Sequence, residues 1–180
     1  MSKSVLLVLS MIAVLLGNVA GAQTAADYAS YRLSQGDQLN IKVFQEDDLS
    51  LVTTIGPAGT IDYPLIGEIK LSGMTLDEAE ALLDGKLRGD YLVNPQISIS
   101  ISKYRNFFIL GAVKQPGSYE YVPGMTAMQA VIIAGGFTDR AARKKVYITR
   151  EDDPASEPSK EPINTMINAG DTIVVKESFF

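Results

Sequence analysis

The sequence predicts an α+β fold built from two small modules in series. Three observations lead there. Runs with the two-residue period of half-buried strands recur along the chain, clearest at Leu39-Ile41-Val43 and Ile97-Ile99-Ile101. Two stretches carry a helical signature, and each is launched by the same tripeptide, Gly73-Met74-Thr75 and Gly124-Met125-Thr126, with Glu78 or Gln129 placed to complete a capping box. Gly36-Asp37-Gln38-Leu39 is echoed by Gly170-Asp171-Thr172-Ile173, each opening an alternating strand. The echoes suggest two similar modules, with convergent turn chemistry as the competing explanation.

Residues 1–22 read as a cleavable signal peptide. Lys3 precedes the apolar run from Val5 to Leu16, and Ala20-Gly21-Ala22 supplies small residues before a mature start at Gln23. The run falls short of the ~20 apolar residues that a bilayer requires. With no Cys in the sequence, neither a disulfide nor a lipid-bearing N-terminal cysteine can form, so an exported soluble chain is expected, periplasmic in a bacterium. Formal charge is −5, with basic residues scattered apart from Arg140, Arg143, Lys144 and Lys145, which speaks against nucleic acid as a partner.

A polar linker over 23–30 leads to the strand at Leu39, launched by the Gly36-Asp37 turn. Glu46, Asp47 and Asp48 lack the ligand spacing of a calcium loop and read as a solvated turn. Short strands follow at Thr53–Ile55, Thr60–Tyr63 and Glu68–Leu71, punctuated by Gly56-Pro57-Ala58-Gly59, Pro64 and Gly67. The Thr75 helix presents Leu76, Ala79, Leu83 and Leu87 on one face and stops near Gly85 or Gly89. Asn94-Pro95 then starts the Ile97–Ser102 strand. A strand from Phe107 to Val113 turns at Gln115-Pro116-Gly117, where Gly117 is expected to take positive φ, into a second strand from Ser118 to Val122. The Thr126 helix buries Ala127, Ala130, Val131 and Ala134 and is closed by Gly135-Gly136. A strand at Val146–Thr149 precedes an acidic, proline-bearing segment from Glu151 to Pro162, expected to be a mobile loop. The chain closes with a strand at Thr172–Val175 and a tail whose Phe179 and Phe180 are expected to pack on the domain or a partner.

With neither His nor Cys, a Ser-His-Asp triad, a Cys-His dyad and an ordinary zinc site are excluded. Carboxylate pairs drawn from Asp47 or Asp48 with Asp62, Asp90 or Asp139 formally permit glycosidase chemistry. Each of these acids is already explained by a turn or cap, so no enzyme, cofactor or metal is expected. Tyr104, Tyr119 and Tyr121 are suited either to stacking on sugar rings or to core packing.

Several motifs together carry a resemblance. Tyr31-Arg32-Leu33 before Gly36-Asp37-Gln38-Leu39, then Gly59-Thr60-Ile61-Asp62-Tyr63-Pro64-Leu65-Ile66-Gly67, Gly73-Met74-Thr75 and Asn94-Pro95-Gln96 resemble the polysaccharide-export sequence domain. Gly111-Ala112-Val113, Pro116-Gly117, Gly124-Met125-Thr126, Ala134-Gly135-Gly136 and Gly170-Asp171 resemble the SLBB domain, a soluble ligand-binding β-grasp module. Their order is that of the bacterial outer-membrane polysaccharide export family. The resemblance implies an export domain over 31–104 and an SLBB-like domain over 105–180. It also implies a periplasmic role in exporting capsular or exopolysaccharide, associated with the outer membrane and working with an inner-membrane co-polymerase.

Larger members form rings and cross the outer membrane through a C-terminal helix. This chain has no lipobox Cys and ends just after its last strand, so a homo-oligomer aided by a separate outer-membrane barrel is the expectation. The alternative is a β-grasp sensor of a periplasmic glycan or small ligand. The glycines Gly36, Gly73, Gly124, Gly135, Gly136 and Gly170, with Asp37, Thr75, Pro116, Gly117, Thr126 and Asp171, are read as builders of backbone geometry. Tyr104, Arg140 and Arg143 are the candidate contacts to glycan or a neighbouring subunit.

Overall fold

Residues 31–151, 153 and 157–178 are described by a computed structural model; the expected signal peptide, the linker and Phe179-Phe180 lie outside them. The first alternating run forms β1 (Gln38–Val43), where Leu39, Ile41 and Val43 are buried and Lys42 is exposed. It is the centre of an antiparallel sheet, between β2 (Leu51–Thr54) and β5 (Ile97–Lys103). Register sets Ile41 opposite Ile99 and Leu39 opposite Ile101, so both apolar rows share one face while Ser98 and Ser100 share the other. A one-residue slip would turn every one of these isoleucines to solvent.

β3 (Thr60–Tyr63) and β4 (Gly67–Lys70) form a separate hairpin. Tyr63 is buried because its hydroxyl donates to the Leu49 carbonyl at 2.7 Å, and burial raises its pKa. The acids before Leu49 are exposed on a 3₁₀ turn (Asp47–Leu49), consistent with a solvated turn.

Helix α1 (Leu76–Leu87) begins with the complete Thr75–Glu78 capping box, an arrangement typically worth ~1 kcal/mol. It runs through Gly85 and ends at Arg88, which pairs with Asp84. Ala79, Leu83 and Leu87 are buried where the helix packs on β5; burying Leu83 alone contributes about 2 kcal/mol. The Glu80 carboxylate accepts from the Ile99 amide at 2.6 Å, satisfying a donor on the edge strand.

The second module contains β6 (Phe107–Gly111), β7 (Gly117–Tyr119), α2 (Ala127–Ile133), β8 (Ala141–Thr149), β9 (Ser159–Glu161) and β10 (Thr172–Glu177). Its five strands lie in the order β7-β6-β10-β8-β9. β6 and β10 are parallel at the centre and the other pairs antiparallel. Ala127, Ala130, Val131 and Ala134 join Ile109, Ile148 and Ile173 in one core. Small helix residues allow that close seating on the sheet, and the result is the expected β-grasp arrangement. Where β6 ends, Gly111 has φ +86 and an added Cβ would lie 2.1 Å from the Val175 carbonyl oxygen. Only glycine fits that crossing.

Three expectations are corrected. Gly117 is not in the left-handed region; it is the first residue of β7, opposite Ile109. The reversal before it is shaped by the Lys114 and Gln115 amides, which donate to Gly136 and Ala134 beyond the helix end. β7 stops at Tyr119, while β8 starts five residues before the expected Val146. Finally, Ser159–Glu161 forms a strand on β8 inside the segment expected to be a loop. A sheet edge offers backbone hydrogen bonds that require no apolar side chain.

Candidate functional site

The two Gly-Asp echoes fold alike. In Ser34-Gln35-Gly36-Asp37 and Asn168-Ala169-Gly170-Asp171 the fourth amide donates to the first carbonyl, at 3.2 and 3.3 Å, and the glycine has φ +91 or +86. These are the features of a type II turn. Each aspartate is buried and its Oδ2 accepts from the amide three residues back, at 2.9 Å from Ser34 and 2.7 Å from Asn168. The helix-launching echo is joined to the same place in each module. Leu33 N–H donates to Met74 and Ile167 N–H to Met125, each donor four residues before its aspartate and each acceptor directly before its capping threonine. The sheets around these turns differ, since β1 lies between two antiparallel neighbours and β10 beside one parallel strand. The likeness is therefore local.

Buried carboxylates need cations, and here the cations come from far away in sequence. Arg105, only 11% exposed, donates through its backbone amide to Asp37 Oδ1 at 2.9 Å and through its guanidinium to Oδ2 at 3.0 Å. Its Nε also donates to the Glu151 carboxylate. One side chain thus spans a turn of the first module and the end of β8 in the second. Gly170 permits this, because a Cβ there would lie 1.6 Å from Glu151 Oε2. Asp171 pairs with Arg150 at 2.6 Å, and Arg150 donates as well to the Met166 carbonyl. Burial raises the Asp171 pKa, opposed by the Asn168 amide, Arg150 and the Glu151 amide. Its Oδ1 nevertheless lacks any partner in hydrogen-bonding geometry. The network pairs its acids with arginines and joins elements distant in sequence.

The sequence-predicted contacts do not converge. Tyr104 lies between β5 and β6, with its ring edge-on to Tyr121 at 5.6 Å between centroids. Tyr121 follows β7, near the N-terminal ends of β6 and β10, whereas Arg140 and Arg143 lie at the start of β8, beside the C-terminal end of β10. These are opposite ends of the sheet. Both arginines are exposed, and Arg143 stands 5.8 Å from the centre of the Phe137 ring. Tyr119 stacks on Phe107 and donates its hydroxyl to Gln115, a packing role. Asp47 and Asp48 share the exposed 3₁₀ turn, while Asp62, Asp90 and Asp139 are exposed elsewhere, each on a different segment. Among the described residues no cluster of three or more acidic side chains could hold a metal, and no helix is long and apolar enough to cross a membrane. Arg105, Arg150 and Glu151 were not anticipated; their only sequence signal was that two aspartates in strand-launching turns would need counter-ions.

The profile of polysaccharide biosynthesis/export proteins matches residues 25–102, and that of the SLBB domain matches residues 106–158. The chain belongs to the bacterial polysaccharide export family. Among its relatives, the exopolysaccharide production protein ExoF of Rhizobium meliloti (strain 1021) is 29% identical over 137 residues, covering 69% of the chain and 32% of ExoF. The polysialic acid transport protein KpsD of Escherichia coli is 25% identical over 108 residues, 59% of the chain and 19% of KpsD. The chain thus spans under a third of the length of these relatives.

Proposed function

We propose that this chain is a periplasmic component of a machine that exports capsular or exopolysaccharide, guiding polymer between an inner-membrane co-polymerase and the outer membrane. The carrying observation is the series of two family domains over residues 25–158. The names of ExoF and KpsD, one for exopolysaccharide production and one for polysialic acid transport, support the same reading. In this role the chain works as a homo-oligomer with a separate barrel supplying the outer-membrane pore. Tyr104, Arg140 and Arg143 contact glycan or a neighbouring subunit. The Arg105 network holds the modules as one part, as a guide for polymer requires.

Deletion of the gene, with surface and culture polysaccharide measured, tests the reading. Loss of secreted polymer is expected, and unchanged secretion in a strain without a paralogue overturns it. A protein that stays monomeric at every concentration, with and without membrane partners, would point instead to a periplasmic glycan sensor.

A further inference from the structure

The start of β8 departs from regular pairing. Val146 faces Val175 and Ala141 faces Glu177, so Lys176 alone opposes the four residues Ala142–Lys145. A bulge of that size pushes Arg143, Lys144 and Lys145 outward, where all three are exposed, as are Lys176 and the adjoining Arg140. Among the described residues none of these five cations makes an ion pair, whereas Arg32, Arg88, Lys103, Arg105 and Arg150 each do. Asp139 and Glu177 are the flanking acids. In a chain of formal charge −5, five unpaired cations on one bulge and its partner strand form a local reversal of sign.

This patch borders an apolar row. Val146 and Ile148 point into the core, so Tyr147 points outward, with the Lys176 ammonium 5.7 Å from its ring centre. In register with Tyr147 are Val174 and then Leu110, which is 46% exposed. Three neighbouring strands set these side chains over about 10 Å, a repeat suited to successive rings of an extended glycan. Sugar rings have apolar faces that rest on such a row, and carboxylates at their edges would reach the guanidinium and ammonium groups. Phosphate headgroups would use the cations without the row.

We propose that the β8 bulge, through Arg143, Lys144, Lys145 and Lys176, with Tyr147 beside it, binds the carboxylates of an acidic polysaccharide. The proposal rests on the export reading and specifies the chemistry of the polymer. It is tested with the purified chain against polygalacturonate, neutral dextran, and phosphatidylcholine vesicles with and without phosphatidylglycerol. Binding to polygalacturonate, little to dextran, and weakening with salt are expected. Arg143→Gln/Lys144→Gln/Lys145→Gln should weaken it about tenfold, Tyr147→Ala should weaken it too, and Lys42→Gln/Lys70→Gln at exposed lysines elsewhere should leave it intact.

Absence of polygalacturonate binding, an equal loss in the Lys42/Lys70 variant, or a triple variant that loses only vesicle binding would overturn the proposal. Secretion separates this from the wider reading. If deletion stops export while the triple variant secretes normally and binds polygalacturonate like the wild type, the bulge is not the site and the export role stands. If deletion has no effect, the export role itself fails.

Discussion

Asp37 and Asp171 occupy the same turn, with equal burial and the same bond to an amide three residues back, yet the folds around them treat the two carboxylates differently. Both Asp37 oxygens accept hydrogen bonds, and its cation, Arg105, is nearly buried. Asp171 has one oxygen without a partner, and its cation, Arg150, keeps 27% of its side chain in solvent. The first turn is part of a link between modules; the second serves its own module. Turn chemistry can therefore be repeated in sequence while its energetic weight is set by where the cation comes from.

The strongest test of this contrast is truncation. Asp37→Ala takes a carboxylate partner from a nearly buried guanidinium and should cost about 3 kcal/mol in urea unfolding. Asp171→Ala releases an arginine that reaches water and still bonds Met166, for a loss of about 1–2 kcal/mol. A larger loss at Asp171 would invert the ranking proposed here.

Next in size is the glycine that lets Glu151 reach Arg105. Gly170→Ala should cost about 1–2 kcal/mol from left-handed strain and displace the Glu151 carboxylate. Glu151→Ala, roughly 0.5 kcal/mol on its own because the pair is partly exposed, should then add nothing in the Gly170→Ala background. Full additivity in that double-mutant cycle would mean that Glu151 keeps its contact.

The smallest effect is a pH dependence. Because the folded-state pKa of Asp171 is raised, the native chain binds that proton more tightly than the unfolded chain. The resulting stabilisation is present at low pH and lost as pH rises through the folded value. Comparing wild type with Asp171→Asn by urea titration isolates it. The stability of wild type relative to the variant should fall as pH climbs above ~4; a relative rise would show that the Arg150 pairing outweighs desolvation.

Much of the architecture could be read locally. The alternation at Leu39 and Ile97, the two capping boxes and the glycines of the Gly-Asp turns all act over a few residues, so their patterns survive in the linear text. β9 was missed because its pairing is a backbone interaction with an edge that sequence does not display. Gly117 was misread because the loop before it is held by the end of α2. The strained Leu65, at φ +68 on the tip of the β3–β4 hairpin, also has no local signature.

The sequence by itself determined the α+β class, the order of the two modules, the helix starts and the export family, since each depends on short spacing or on contiguous motifs. Tertiary structure alone decided that Arg105 answers Asp37 across 68 residues and Arg150 answers Asp171 across 21. It also decided that Tyr104 and Arg140 lie at opposite ends of a sheet, and that Lys176 joins the β8 cations. A charge or ring carries no address of its own; strand order and register bring it to a partner.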